Sequence, residues 1–168
     1  MKNRPNHDSR RLLAGNDKPL HHTVMNSNVE LLGVYLHLAR AATVRQELHV
    51  RDKLLVIAGM IAVHLKLPTV AAYCRHAVLK HNSRHLIRRW QDLASALDQD
   101  DFQTLLKQLQ RRYPREKAEN MLATLGIEMG KEWETYYSAE EYAASLLTTT
   151  TETLGRIYQQ EQSKPTSE

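Results

Sequence analysis

One stretch restricts this chain more than any other: the unbroken apolar run Leu54-Leu55-Val56-Ile57-Ala58-Gly59-Met60-Ile61-Ala62-Val63. A segment with no polar face has to be covered on every side. It is too short to cross a bilayer, which takes about 20 apolar residues. It therefore belongs at the centre of a folded domain. A buried strand is the rival reading of a short apolar run, but the alanines, the length and the flanking residues favour a helix over 53–66. Asp52 suits its N-cap, where a carboxylate accepts a backbone N–H and meets the positive end of the helix dipole. His64 and Lys66 suit the last turn, and Pro68 closes it. Gly59 costs about 1 kcal/mol relative to alanine in a helix interior. It is expected to mark a place where another helix passes close by.

The rest of the chain supplies the cover. Ser27-Asn28-Val29-Glu30 reads as a capping box that opens a helix over 28–48, with Leu32, Tyr35, Leu36 and Ala39 on one face. Pro68 fits the first turn of a helix over 68–81, whose stripe is Val70, Tyr73, Cys74, Ala77 and Val78. Asn82 suits a left-handed end to it. Ser83 is the expected cap of a helix over 84–98, with Leu86, Trp90, Leu93 and Leu97 in register. Further helices are expected over 101–113, 114–125 (broken from the previous one at Pro114) and 139–147. A shorter one is expected over 128–137. Strand signals are almost absent, so the fold class is all-α: a single irregular bundle of six to eight helices around a central apolar one. Residues 27–147 form the expected domain. A basic N-terminal arm (1–26) and a tail (163–168) are expected to be disordered. The threonine-rich 148–153 followed by a helix over 154–162 reads as a weakly attached segment.

Residues 53–85, two helices and a short turn, have about the length of a tetratricopeptide repeat. Gly59, Ala71 and Val78 fall on small-residue positions of that family. Arg75 stands where the family prefers an aromatic, no proline closes the unit, and neighbouring segments do not repeat the pattern. The segment resembles an ordinary helical hairpin, and no family membership follows.

Charge is unevenly spread. Residues 36–97 carry +7 (ten basic, three acidic) and six of the nine histidines, whereas residues 98–168 carry −5 (eight basic, thirteen acidic). Such a split fits an acidic partner, nucleic acid included, or attraction between the two halves. Arg84, Arg88 and Arg89 lie off the core face of their expected helix, and Arg111 and Arg112 lie beside Pro114. These five are the candidate contacts for an acidic partner or a phosphate backbone, within a basic segment spanning 75–117. The plainer account is an ordinary charged surface, with basic side chains suiting helix C-termini. No aromatic interleaving points to base stacking.

Metal chemistry has one candidate set, His64, Cys74, His81 and His85, whose ligand types suit zinc. No recognised metal-binding motif accompanies them, so no metal and no cofactor is expected. Cys74 lies on an apolar stripe and reads as an inert thiol rather than a nucleophile. The paired acids Asp100-Asp101 and Glu140-Glu141 stand at helix starts, where the dipole alone favours them. No phosphate loop or nucleophile elbow is present, so nothing supports an enzyme. Met129, Trp133, Tyr136, Tyr137 and Tyr142 crowd the C-terminal third. Trp133, Tyr136 and Tyr137 are the candidate partner surface.

A lone cysteine, no secretory signal and no transmembrane run lead us to expect a cytoplasmic protein. The expected function is that of a non-catalytic protein-interaction or scaffold module, self-association included. The alternative is a nucleic-acid-binding helical protein, and third comes a helical metalloprotein.

Overall fold

The computed structural model describes residues 20–164. The described residues hold eight α-helices and no strand. They are α1 (Leu20–Val44), α2 (Leu48–His64), α3 (Pro68–His81), α4 (Leu93–Ala96), α5 (Asp100–Arg112), α6 (Arg115–Thr124), α7 (Ala139–Leu146) and α8 (Thr151–Gln162). Two short 3-10 turns, Leu86–Arg89 and Glu132–Thr135, complete them. None of these helices is long and apolar enough to cross a membrane.

The apolar run forms the middle of α2, as its lack of a polar face requires. Leu54 to Met60 are all buried, and only Ile61 and Val63 are partly uncovered. Helix α2 packs between α1 and α3, with α4 and α5 closing further sides. Gly59 marks a tight crossing: a methyl group there would stand 2.5 Å from Leu93 Cδ1 and 3.2 Å from Cys74 Cβ. Gly33 does the same on α1, where an added methyl would meet the Tyr142 hydroxyl at 2.5 Å. The Tyr35 hydroxyl, on α1, donates to the Tyr113 carbonyl at 2.7 Å and ties that helix to the end of α5.

Several boundaries differ from the sequence reading, each for a local reason. Helix α1 begins at Leu20, so the Ser27 capping box does not form; the Ser27 hydroxyl instead accepts from Arg115 at 3.3 Å. The arm expected over 1–26 is therefore helical from residue 20, and its first nineteen residues lie outside the described ones. So do the last four residues of the expected tail. Helix α2 begins at Leu48, which places Asp52 inside it, buried, rather than at its cap. Asn82 ends α3 with φ −127°, not in the left-handed region. The helix expected over 84–98 is broken in two. His85 accepts from the Ile87 N–H, a 3-10 turn follows, and Asp92 with Ser95 forms a reciprocal capping box that restarts the chain as α4.

Four connections share one solution. After α1, α2, α6 and α7 the chain turns through a left-handed residue, namely Gln46, Lys66, Gly126 and Thr148. In each, two N–H groups return to orphan carbonyls of the last turn, as in Gln46 N to Thr43 O and Glu47 N to Ala42 O. This is the Schellman arrangement. Short links of this kind set sequential helices side by side.

The C-terminal segment read as weakly attached packs along α3. The Thr150 hydroxyl caps α8 through the Thr153 N–H. Leu154 and Ile157 are buried, and so is Glu161. The threonines that weaken helix propensity thus lie mostly in the connection.

Candidate functional site

Two ionic sites meet α3, one around its own Arg75 and one around Asp52 of α2. The first lies at mid-helix. Arg75 follows Ala71 and precedes Val78 on the covered side of α3, and its side chain is only 10% exposed. One terminal nitrogen, Nη1, donates to Glu161 Oε2 of α8 at 3.0 Å. The other, Nη2, donates to the Trp90 carbonyl at 2.7 Å. The remaining Nε–H is buried and has no partner among the described residues. Arg75 therefore locks two things to α3: the last turn of α8, and the segment that follows the 3-10 turn.

The 3-10 turn and the residues before it deliver more positive charge. Arg84, Arg88 and Arg89 are exposed and line one pocket of about 710 Å3 together with Arg75, His85, Trp90 and Lys164. Glu161 is the single acid among its lining residues. Outside the pocket, Arg89 pairs with Asp101 at 2.8 Å, in a contact whose two side chains are both mostly exposed. Arg84, Arg88 and Lys164 have no carboxylate partner among the described residues. The Trp90 ring stands edge-to-face against Phe102 at 5.4 Å, so packing fixes it.

Three of the five arginines singled out from sequence thus share one concavity. Arg111 and Arg112 do not. They lie on a shallow depression with Lys53 and Leu105. Asp101, the partner of Arg89, is at the start of α5, and Arg111 is near its end. At about 1.5 Å rise per residue, the two arginine groups stand roughly 15 Å apart along that helix. The basic segment 75–117 folds into two separate places.

The second ionic site surrounds Asp52. Its Oδ1 accepts from Arg51, from Nη2 at 2.7 Å and Nε at 3.1 Å. Its Oδ2 is engaged by His81 Nδ1 at the last residue of α3. The His49 ring meets the His81 ring edge-on at 5.4 Å. His85 lies close enough to feel the Asp52 charge, but burial dominates and pushes its pKa below the ordinary histidine value. The carboxylate is satisfied at both oxygens, so this site clamps α2 to the end of α3.

The metal candidates do not converge. His64 Nδ1 lies 2.9 Å from the Met60 carbonyl of its own helix. Cys74 is fully buried, and burial pushes its thiol up to about 12, which keeps it protonated at neutral pH. His81 is committed to Asp52 and His85 to the Ile87 N–H. Among the described residues, no group of three or more His, Cys, Asp or Glu is placed to hold a metal ion.

Comparison with protein-family models, with characterised proteins and with solved structures yields no match to this chain. Its function has to be read from its own surfaces. Of the three aromatic candidates, Trp133 and Tyr136 pack partly against the core. Tyr136 shares a 3.0 Å hydrogen bond with Ser145 and leans on Tyr142. Only Tyr137 stands fully free. One exposed tyrosine is a poor anchor, because binding energy concentrates in clustered, well-packed aromatics.

Sequence reading placed Arg75 only on the basic surface and missed Asp52, Arg75 and Glu161 as interior residues. A usable signal existed for Glu161. It follows Leu154 and Ile157 at helical spacing, which places a carboxylate on the buried stripe of α8. Such a group calls for a cation across the interface. Nothing local says that the cation is 86 residues away.

Proposed function

We propose that this chain is a non-catalytic helical binding module that docks an acidic protein partner in the Arg75 pocket. One observation carries the reading: Arg75, Arg84, Arg88, Arg89 and Lys164 surround a single concavity in which Glu161 is the only lining acid. An acidic side chain entering it meets several cations at once. A nucleic-acid duplex favours an extended basic track instead. Arg111 and Arg112, at the far end of α5, do not prolong the pocket into one. The lone buried cysteine supports a reducing compartment such as the cytoplasm.

Affinity capture with the full chain, with and without nuclease, tests this. The wild type should retain a partner protein after nuclease treatment. Arg84→Ala/Arg88→Ala should lose it with helicity unchanged, because both side chains are exposed. Arg111→Ala/Arg112→Ala should retain it. Capture that vanishes with nuclease would replace the protein partner by nucleic acid.

A further inference from the structure

The charge balance of this pocket goes beyond what a simple carboxylate needs. Arg84, Arg88 and Lys164 are unpaired among the described residues, and Arg89 is only loosely neutralised by exposed Asp101. One carboxylate brings a single negative charge. A phosphate monoester brings about −1.5 to −2 at pH 7 and three strong acceptor oxygens. Guanidinium groups match those oxygens with paired, parallel N–H donors, which is why arginine clusters recur where phosphorylated side chains are read. We propose that the pocket recognises a phosphorylated side chain on the partner protein, an inference that rests on the docking reading above.

The construction of the site supports this. Arg75 is a positioning residue: its bond to the Trp90 carbonyl fixes the segment that bears Arg88 and Arg89. Its own charge is spent on buried Glu161, so the exposed arginines and Lys164 are the ones that meet the ligand. Leu79, Leu86 and Trp90 give the pocket an apolar wall, which suits the residues that flank a phosphorylated position. Trp90 is committed to Phe102 and offers no free-standing ring for a nucleobase. A volume of about 710 Å3 exceeds the needs of a bare phosphate ion and leaves room for part of a peptide.

The test uses degenerate peptide libraries centred on phosphoserine, phosphothreonine or phosphotyrosine. Matched libraries carry the unmodified residue or Glu at the centre. Binding to the full chain is measured at physiological salt, beside inorganic phosphate and a single-stranded oligonucleotide. We expect at least one phosphorylated library to bind about tenfold or more tightly than its unmodified and Glu counterparts, about 1.4 kcal/mol, since the phosphate brings more negative charge and a third acceptor oxygen. Arg84→Ala/Arg88→Ala should remove that advantage, and Arg111→Ala/Arg112→Ala should keep it. Equal binding of Glu and phosphorylated libraries would overturn phosphate recognition and leave acidic docking standing. The same follows if no library binds while nuclease-resistant capture persists. Inorganic phosphate that competes as tightly as the best peptides, or an oligonucleotide that outbinds them, would overturn the phosphorylated protein as ligand. If no library binds and capture also fails after nuclease, both readings fall together.

Discussion

The Asp52 site, which joins α2 to the end of α3, and the Arg75 site on α3 are both buried ionic anchors, yet one is closed and the other open. At Asp52 the acid is the deepest group, and Arg51 and His81 satisfy both of its oxygens. At Arg75 a base is buried together with its acid, at 10% and 6% side-chain exposure. Glu161 neutralises it, one N–H stays unfilled, and further cations gather above it. A charge that is fully paired by its own fold has nothing left to offer a ligand. A surplus of one sign around a concavity has to be balanced by water and salt, or by a partner. The first arrangement therefore holds structure, and the second is the one proposed above to bind.

The largest expected effect breaks the closed site. Asp52→Ala leaves Arg51 and His81 without their shared carboxylate, and removing one partner of a buried pair is strongly destabilising. Both partners retain some contact with water, at 17% and 25% side-chain exposure, so the loss belongs at the low end, about 3 kcal/mol. Urea denaturation measures it. Under folding conditions the variant should still capture its partner. A loss below about half a kcal/mol would show that the two sites do not differ in this way.

A smaller effect comes from the crossing that holds both sites in place. Gly59→Ala drives a methyl group into Leu93 and Cys74; overpacking of this kind costs about 1–3 kcal/mol, offset by about 1 kcal/mol of regained helix propensity. The Cys74 contact passes part of the clash to α3, so partner capture should weaken together with stability. Capture that stays intact beside a clear stability loss would show that the pocket does not depend on the seating of α3.

The smallest effect is a pH dependence at His85, which lines the open pocket while sensing the closed site. Burial lowers its pKa from the ordinary value of 6.5, and the Asp52 charge opposes this only in part. Between the lowered value and 6.5 the unfolded chain takes up a proton that the folded chain refuses. Stability is thus complete above the ordinary value and declines as pH falls through this window. The check is to compare wild type with His85→Gln by denaturation above and below that window. The wild type should lose more stability on acidification. An equal loss in both would remove His85 as the cause.

Sequence alone determined the class of fold, and the reason is period. The run at 54–63 had to be central, and the 3.6-residue stripes around it had to be helices. Helices α5, α6 and α7 came out within a residue or two of their expected limits, because Pro114, Gly126 and Ser138 are strong local signals. Where the local signal was weak or misleading, tertiary structure decided. Three of the four left-handed turns use Gln46, Lys66 and Thr148, residues that do not announce such a turn; only Gly126 does. Asp52 looked like a cap because an acid before an apolar run usually is one, until His81 came close enough to hold it inside. The basic middle read as one segment of charge. Folding divided it, placing Arg84, Arg88 and Arg89 around Arg75 and leaving Arg111 and Arg112 at the other end of α5. Periodicity is a property of neighbours in the chain, so a sequence displays it directly. Which distant charges meet depends on how the helices pack, and the Arg75–Glu161 pair exists only after α8 has been laid along α3.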